Sequence, residues 1–60
     1  MIPAELADAF TNGNRSDVAA ELRSYDDALE AVYVAVRVME LMDDATRYSF
    51  RRWLFVVVGG

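Results

Sequence analysis

The chain has no cysteine and no histidine, one proline, three glycines and not a single lysine. Without cysteine there is no disulfide framework, no thiolate metal site and no thiol nucleophile, and without histidine the commonest general base and the commonest metal ligand are gone too. No nucleophile-base pair can be assembled except from hydroxyls or carboxylates at arbitrary positions, so the chain reads as non-enzymatic and without cofactor or metal. No run of apolar residues approaches the ~20 needed to span a bilayer, and no basic stretch leads into an apolar core and a small-residue cleavage site. The expectation is a cytoplasmic protein with no transmembrane segment.

Sixty residues make one domain, spanning 1–60, and a chain of this length buries only about 60 % of the surface it exposes when unfolded. Natural domains this small are usually stapled by disulfides, by a metal or by a partner subunit. Only the last is open to this sequence. All six basic residues are arginine, and alanine, valine and aspartate abound. That bias matches GC-rich coding and fits an accessory protein of a high-GC bacterium, its phage or its plasmid.

Charge is divided along the chain. Residues 1–45 hold all ten carboxylates with Arg15, Arg23 and Arg37, a net of −7, whereas residues 46–60 hold Arg47, Arg51 and Arg52, a net of +3. A total of −4 argues against affinity built on phosphate neutralisation.

The apolar pattern is helical throughout, which predicts an all-α fold: a small bundle of three to four helices with a central C-terminal helical hairpin. Pro3 suits a first helical position, with Glu5 in the first turn. Ile2, Leu6 and Phe10 then recur on one face until Asn12-Gly13-Asn14 ends the helix. A second helix capped by Asn14 or Ser16 places Val18, Leu22 and Tyr25 on one side. Ser24 to Asp27 has capping-box spacing, which starts the third helix near Tyr25 and carries it to Met42.

On that third helix Asp26, Asp27, Glu30, Tyr33, Arg37 and Glu40 form a stripe of about 140°, leaving about 220° apolar. Val34 and Leu41 break the stripe. Asp43 and Asp44 provide the cap and first turn of a fourth helix, whose Phe50, Trp53, Leu54 and Val57 share a face, with Gly59-Gly60 as its stop. By propensity alone residues 53–58 favour a strand, and such a strand would need another copy of the chain for an edge. Either reading of the tail leads to association.

Several constellations compete for a function. A helix-turn-helix has about the right dimensions around Arg23-Ser24 and makes a small transcriptional regulator the alternative reading, but Asp26, Asp27 and Glu30 would then face a phosphate-lined groove. The carboxylates at Asp26/Asp27/Glu30 and Glu40/Asp43/Asp44 read as caps and solvated faces rather than a di-metal site, which would want histidine beside them. Arg51-Arg52 ahead of an apolar run would also suit a lipid interface, although one short tail anchors weakly. The terminal Gly-Gly matches the conjugation tail of ubiquitin-like proteins in two residues only, on the wrong fold.

The fourth helix mixes Arg47, Arg51 and Arg52 with Tyr48, Phe55 and Val56 outside its main apolar face. Arginine and aromatics together are typical of protein-binding hot spots, while the alternative is that the arginine stems cover apolar surface and pair with the acidic half of the same chain. A helix apolar over about 220° needs neighbours on two or three sides, and only one other long helix and two short ones exist to supply them. The expected interaction residues are therefore Val34, Leu41, Arg47, Tyr48, Arg51, Arg52, Phe55 and Val56. The expected partner is the chain itself, as a dimer or higher oligomer, or another protein, with nucleic acid disfavoured.

Overall fold

In a computed structural model the chain is a four-helix all-α bundle, described for residues 1–59, with side-chain environments for 1–57. The helices are α1 (Pro3–Thr11), α2 (Arg15–Arg23), α3 (Ala28–Glu40) and α4 (Asp44–Gly59). Trp53 to Val58 is helical in backbone, so the strand reading of that segment fails. The reason is local continuity: the helix is already nucleated by its cap, and no strand edge exists among the described residues for a lone β-segment to pair with. Gly59 closes α4, and Gly60 lies outside the described residues.

Pro3 opens α1, as its missing N–H allows, and the Glu5 carboxylate accepts from the Ile2 amide at 3.4 Å. The helix ends in a Schellman motif. Asn14 N–H donates to the Ala9 carbonyl at 2.8 Å and Gly13 N–H to that of Phe10 at 3.0 Å, with Gly13 at φ +86° supplying the left-handed residue the motif requires. Ile2 departs from expectation: it precedes the helix in extended conformation and is 60 % exposed, so the buried face of α1 is Leu6, Ala7 and Phe10 instead.

Neither expected cap of α2 forms. Asn14 occupies the cap position but its amide donates to the Asp17 carboxylate at 2.8 Å, and Ser16 lies inside the helix. Ser24 likewise ends α2 rather than starting α3, its hydroxyl donating to the Glu21 carbonyl at 2.6 Å. The cap of α3 is Asp27, which accepts from the Leu29 amide at 2.9 Å. The third helix therefore begins three residues later than expected and is shorter, and Tyr25 sits in the connection, its hydroxyl donating to the Glu21 carboxylate at 3.3 Å. Two serine-or-aspartate caps stood in competition there, and aspartate at the position directly before the alanine won. At the fourth helix the expectation holds: Asp43 accepts from the Thr46 amide at 2.7 Å.

The core gathers Leu6, Ala7 and Phe10 of α1, Val18 and Leu22 of α2, Ala35 and Val38 of α3, Met42, and Phe50 of α4. Its centre is aromatic. The Phe10 ring meets Phe50 edge-on at 5.0 Å and Trp53 at 5.4 Å, with Phe50 and Trp53 5.7 Å apart. Such pairs add about 0.5–1.5 kcal/mol each to the 1.5–3 kcal/mol or so that burying a large apolar side chain contributes. Through these contacts the short α1 touches α2, α3 and α4. α3 and α4 form the C-terminal hairpin across residues 41–43, and the N-terminal half of α3 shares a groove with the C-terminal half of α4, as an antiparallel pair requires.

Candidate functional site

Because α1 and α2 are both nine residues long, together they cover only one side of α3. The residues of α3 that turn inward are Ala31, Val34, Ala35, Val38 and Met39, with Met42 beyond its end, an arc of about 140° at 100° per residue. The adjoining arc of the helix is apolar and in water: Val32 is 58 % exposed, Val36 45 % and Leu29 77 %, with Tyr33 beside them.

Between this bare flank and α4 lies an open groove of about 730 Å³. One wall is Ala28, Ala31, Val32, Ala35, Val36 and Met39 of α3; the other is Arg51, Leu54, Phe55 and Val57 of α4, and Leu22 and Tyr25 close one end. Three of the α3 wall residues are alanines at i, i+3 and i+7, a spacing that stacks them along one line of the helix. Their small side chains give the groove its depth. Arg23, Asp26 and Arg51 supply its polar rim. Loss of hydration, together with the hydrogen bond from its hydroxyl to Glu21 and the charge of that carboxylate, raises the Tyr25 phenol above its ordinary value.

The eight residues expected to interact divide under this geometry. Phe55 and Arg51 line the groove, Phe55 being 78 % exposed at its lip. Tyr48 and Arg52 continue the same side of α4 toward its start; the guanidinium of Arg52 donates to the Tyr48 hydroxyl at 3.1 Å and lies 5.8 Å from its ring centre. Val56 is exposed, but one residue on from Phe55 it faces about 100° away. Leu41 caps α3 on the side opposite Met39, exposed and remote from the groove.

Two of the eight already make contacts within the chain. Val34 packs against the core, because the inward arc of α3 is centred near Val38 and Ala31 and reaches as far as Val34. Arg47 is engaged by its own hairpin: its Nε donates to the Met39 carbonyl at 3.0 Å, Nη2 to that of Met42 at 2.8 Å, and Nη1 to the Asp44 carboxylate at 2.7 Å. It thereby gives the Met42 carbonyl a donor and adds a second one to the Met39 carbonyl, which already accepts from the Met42 amide at 3.1 Å. Arg51 and Arg52, by contrast, make no ion pair among the described residues, so pairing with the described acidic groups does not account for them.

Sequence reasoning left Leu29, Val32 and Val36 within the broad apolar arc of the third helix and did not single them out as interaction residues. The count of faces showed that some arc must stay bare; which arc depends on the azimuth at which the short helices dock. The line of alanines at 28, 31 and 35 was the available signal.

A second concavity, about 230 Å³, lies where Phe10, Thr11 and Arg15 meet Ala45, Thr46 and Ser49. It is shallow, and the Arg15 guanidinium is stacked 4.3 Å above the Phe10 ring. Among the described residues no group of three or more Asp and Glu is placed to hold a metal ion, and no helix is long and apolar enough to cross a membrane.

Fold and surface together define a class: a small helical bundle with a core of its own and an uncovered apolar groove between its last two helices. No protein-family model, curated protein or solved structure matches the chain.

Proposed function

We propose that the chain is a non-enzymatic, cytoplasmic protein-protein interaction module that self-associates. The observation that carries this reading is the bare apolar flank of α3 running into the groove beside Phe55. Contiguous apolar surface of this extent on so small a protein marks an interface, since left in water it is an aggregation hazard. Covering it also supplies the staple that a domain of this size otherwise lacks, because burial at the interface adds to a fold whose own core is small.

Light scattering behind a sizing column, over a wide concentration range and beside a circular-dichroism spectrum, tests the reading. The expected result is a helical species of at least twice the mass of one chain, dissociating on dilution. A compact helical monomer at every concentration would sink the self-association. Saturable binding of a labelled duplex at low salt would overturn the reading in favour of a transcriptional regulator.

A further inference from the structure

We infer that the occupant of the groove is α4 of a second copy of this chain, docked about a two-fold axis, with Phe55 of each copy on the other's alanine-lined wall. This rests on the self-association proposed above and names its surface and register.

Three observations single out a second copy. The first is shape. The groove carries small side chains along one wall, Ala28, Ala31 and Ala35, and a large, 78 % exposed ring on its own opposite lip. A knob and a hole on one molecule are what an isologous two-fold interface needs, since each copy then gives the knob and receives it. The second is area. Leu29, Val32, Tyr33, Val36, Tyr48 and Phe55, if wholly covered, remove on the order of 700 Å² per copy, close to the roughly 800 Å² that a standard-size specific interface takes from each partner. The third is charge. Arg51 and Asp26 both border the groove, yet neither is in an ion pair among the described residues. The basic tail and the acidic body of the chain attract one another between copies when α4 of one lies against the start of α3 of the other, which sets Arg51 against Asp26 of the partner subunit.

The far side of α4 and the far side of α3 stay outside this contact. Val56 and Leu41 therefore remain in solvent in the dimer, and the interaction surface contracts to the groove, Phe55, Arg51 and the adjoining Tyr48 and Arg52.

The test is charge exchange between copies. In the homodimers of R51E and of D26R every Arg51–Asp26 contact becomes a pair of like charges, and each variant should lose about tenfold or more in dimer affinity. Mixed one to one they restore the dimer, because one contact regains the native pair and the other carries the pair reversed. Only an intermolecular contact can be rescued by mixing. Phe55→Ala and Ala28→Phe, the latter at the exposed alanine of the wall, should each weaken the dimer by about tenfold or more, as expected for an anchor and its seat, while Val56→Ser leaves it unchanged.

Failure of the mixed variants to associate would overturn this register. A dimer indifferent to Phe55→Ala and Ala28→Phe would overturn the groove as its interface while leaving self-association intact. A monomeric wild type would overturn both.

Discussion

Phe50→Ala should remove most or all of the stability of this protein. The ring is fully buried and contacts both Phe10 and Trp53 at centroid distances of 5.0 and 5.7 Å. A phenylalanine-to-alanine change in a core costs about 3–5 kcal/mol, the transfer of the ring plus the cavity left behind. The high end applies here because the neighbouring rings lose their aromatic pairings, worth about 0.5–1.5 kcal/mol each, and cannot close the gap without rotating away from the helices that hold them. A chain of this length at roughly 0.05–0.15 kcal/mol per residue has only about 3–9 kcal/mol to lose. At about 4–8 °C of melting temperature per kcal/mol, the variant should show no cooperative thermal transition above room temperature. Urea unfolding monitored by circular dichroism gives the number. A loss below about 1.5 kcal/mol, the scale of a conservative aliphatic swap, would mean that Phe50 is not at the centre of the core and that the aromatic cluster is wrongly placed.

Phe55→Ala, in contrast to Phe50→Ala, should leave monomer stability within about 0.5 kcal/mol of the wild type, since the ring is largely in solvent; unfolding of the isolated monomer at low protein concentration checks it. Arg47→Ala should cost about 1 kcal/mol, because the Met42 carbonyl loses its donor while that of Met39 keeps the Met42 amide, and Arg47→Lys should recover only part of this, because an ammonium does not reproduce the guanidinium fork; amide exchange in the last turn of α3 should rise in both. Gly13→Ala should cost about 1–2 kcal/mol for holding a β-carbon at φ +86°. Nothing stands within 4 Å of the added carbon, so the loss is backbone strain alone, and Gly13→Asn should be milder in the same urea titration. At the start of α4 the Asp43 carboxyl is held below its ordinary value, first by its side-chain hydrogen bond with Thr46, then by the Thr46 amide. A depressed folded-state value means the carboxylate stabilises the fold above the unfolded value and loses that effect as pH falls through the folded one. The difference in melting temperature between wild type and Asp43→Ala should therefore be constant near neutrality and shrink once pH drops below about 4. A difference that does not change down to about pH 2, well under the ordinary carboxylate range, would show that the charge contributes nothing to the cap.

The local structure was largely legible from one sequence. Pro3, Asn12-Gly13-Asn14 and Asp43 mark their helix ends because caps and left-handed turns depend on residue chemistry within a few positions, and the face of Phe50, Trp53, Leu54 and Val57 comes from period alone. The start of α3 was not legible to the residue, since Ser24 and Asp27 both offer a capping oxygen and only the path of the chain into the bundle chooses Asp27.

The sequence by itself determined that the chain is helical, that it has no cysteine, histidine or lysine, and that much of its longest apolar arc would want neighbours beyond four short helices. These are properties of composition, period and neighbouring residues. Only the tertiary structure decided where the excess lies. The azimuth at which α1 docks on α3 takes Val34 inward and leaves Val32, Val36 and Leu29 outside, and Arg47 reaches back to the carbonyls of Met39 and Met42, which ties its guanidinium to the hairpin. Both outcomes depend on the mutual placement of whole helices, which arises from long-range packing around Phe10 and Phe50 and has no signature in any local window of the chain.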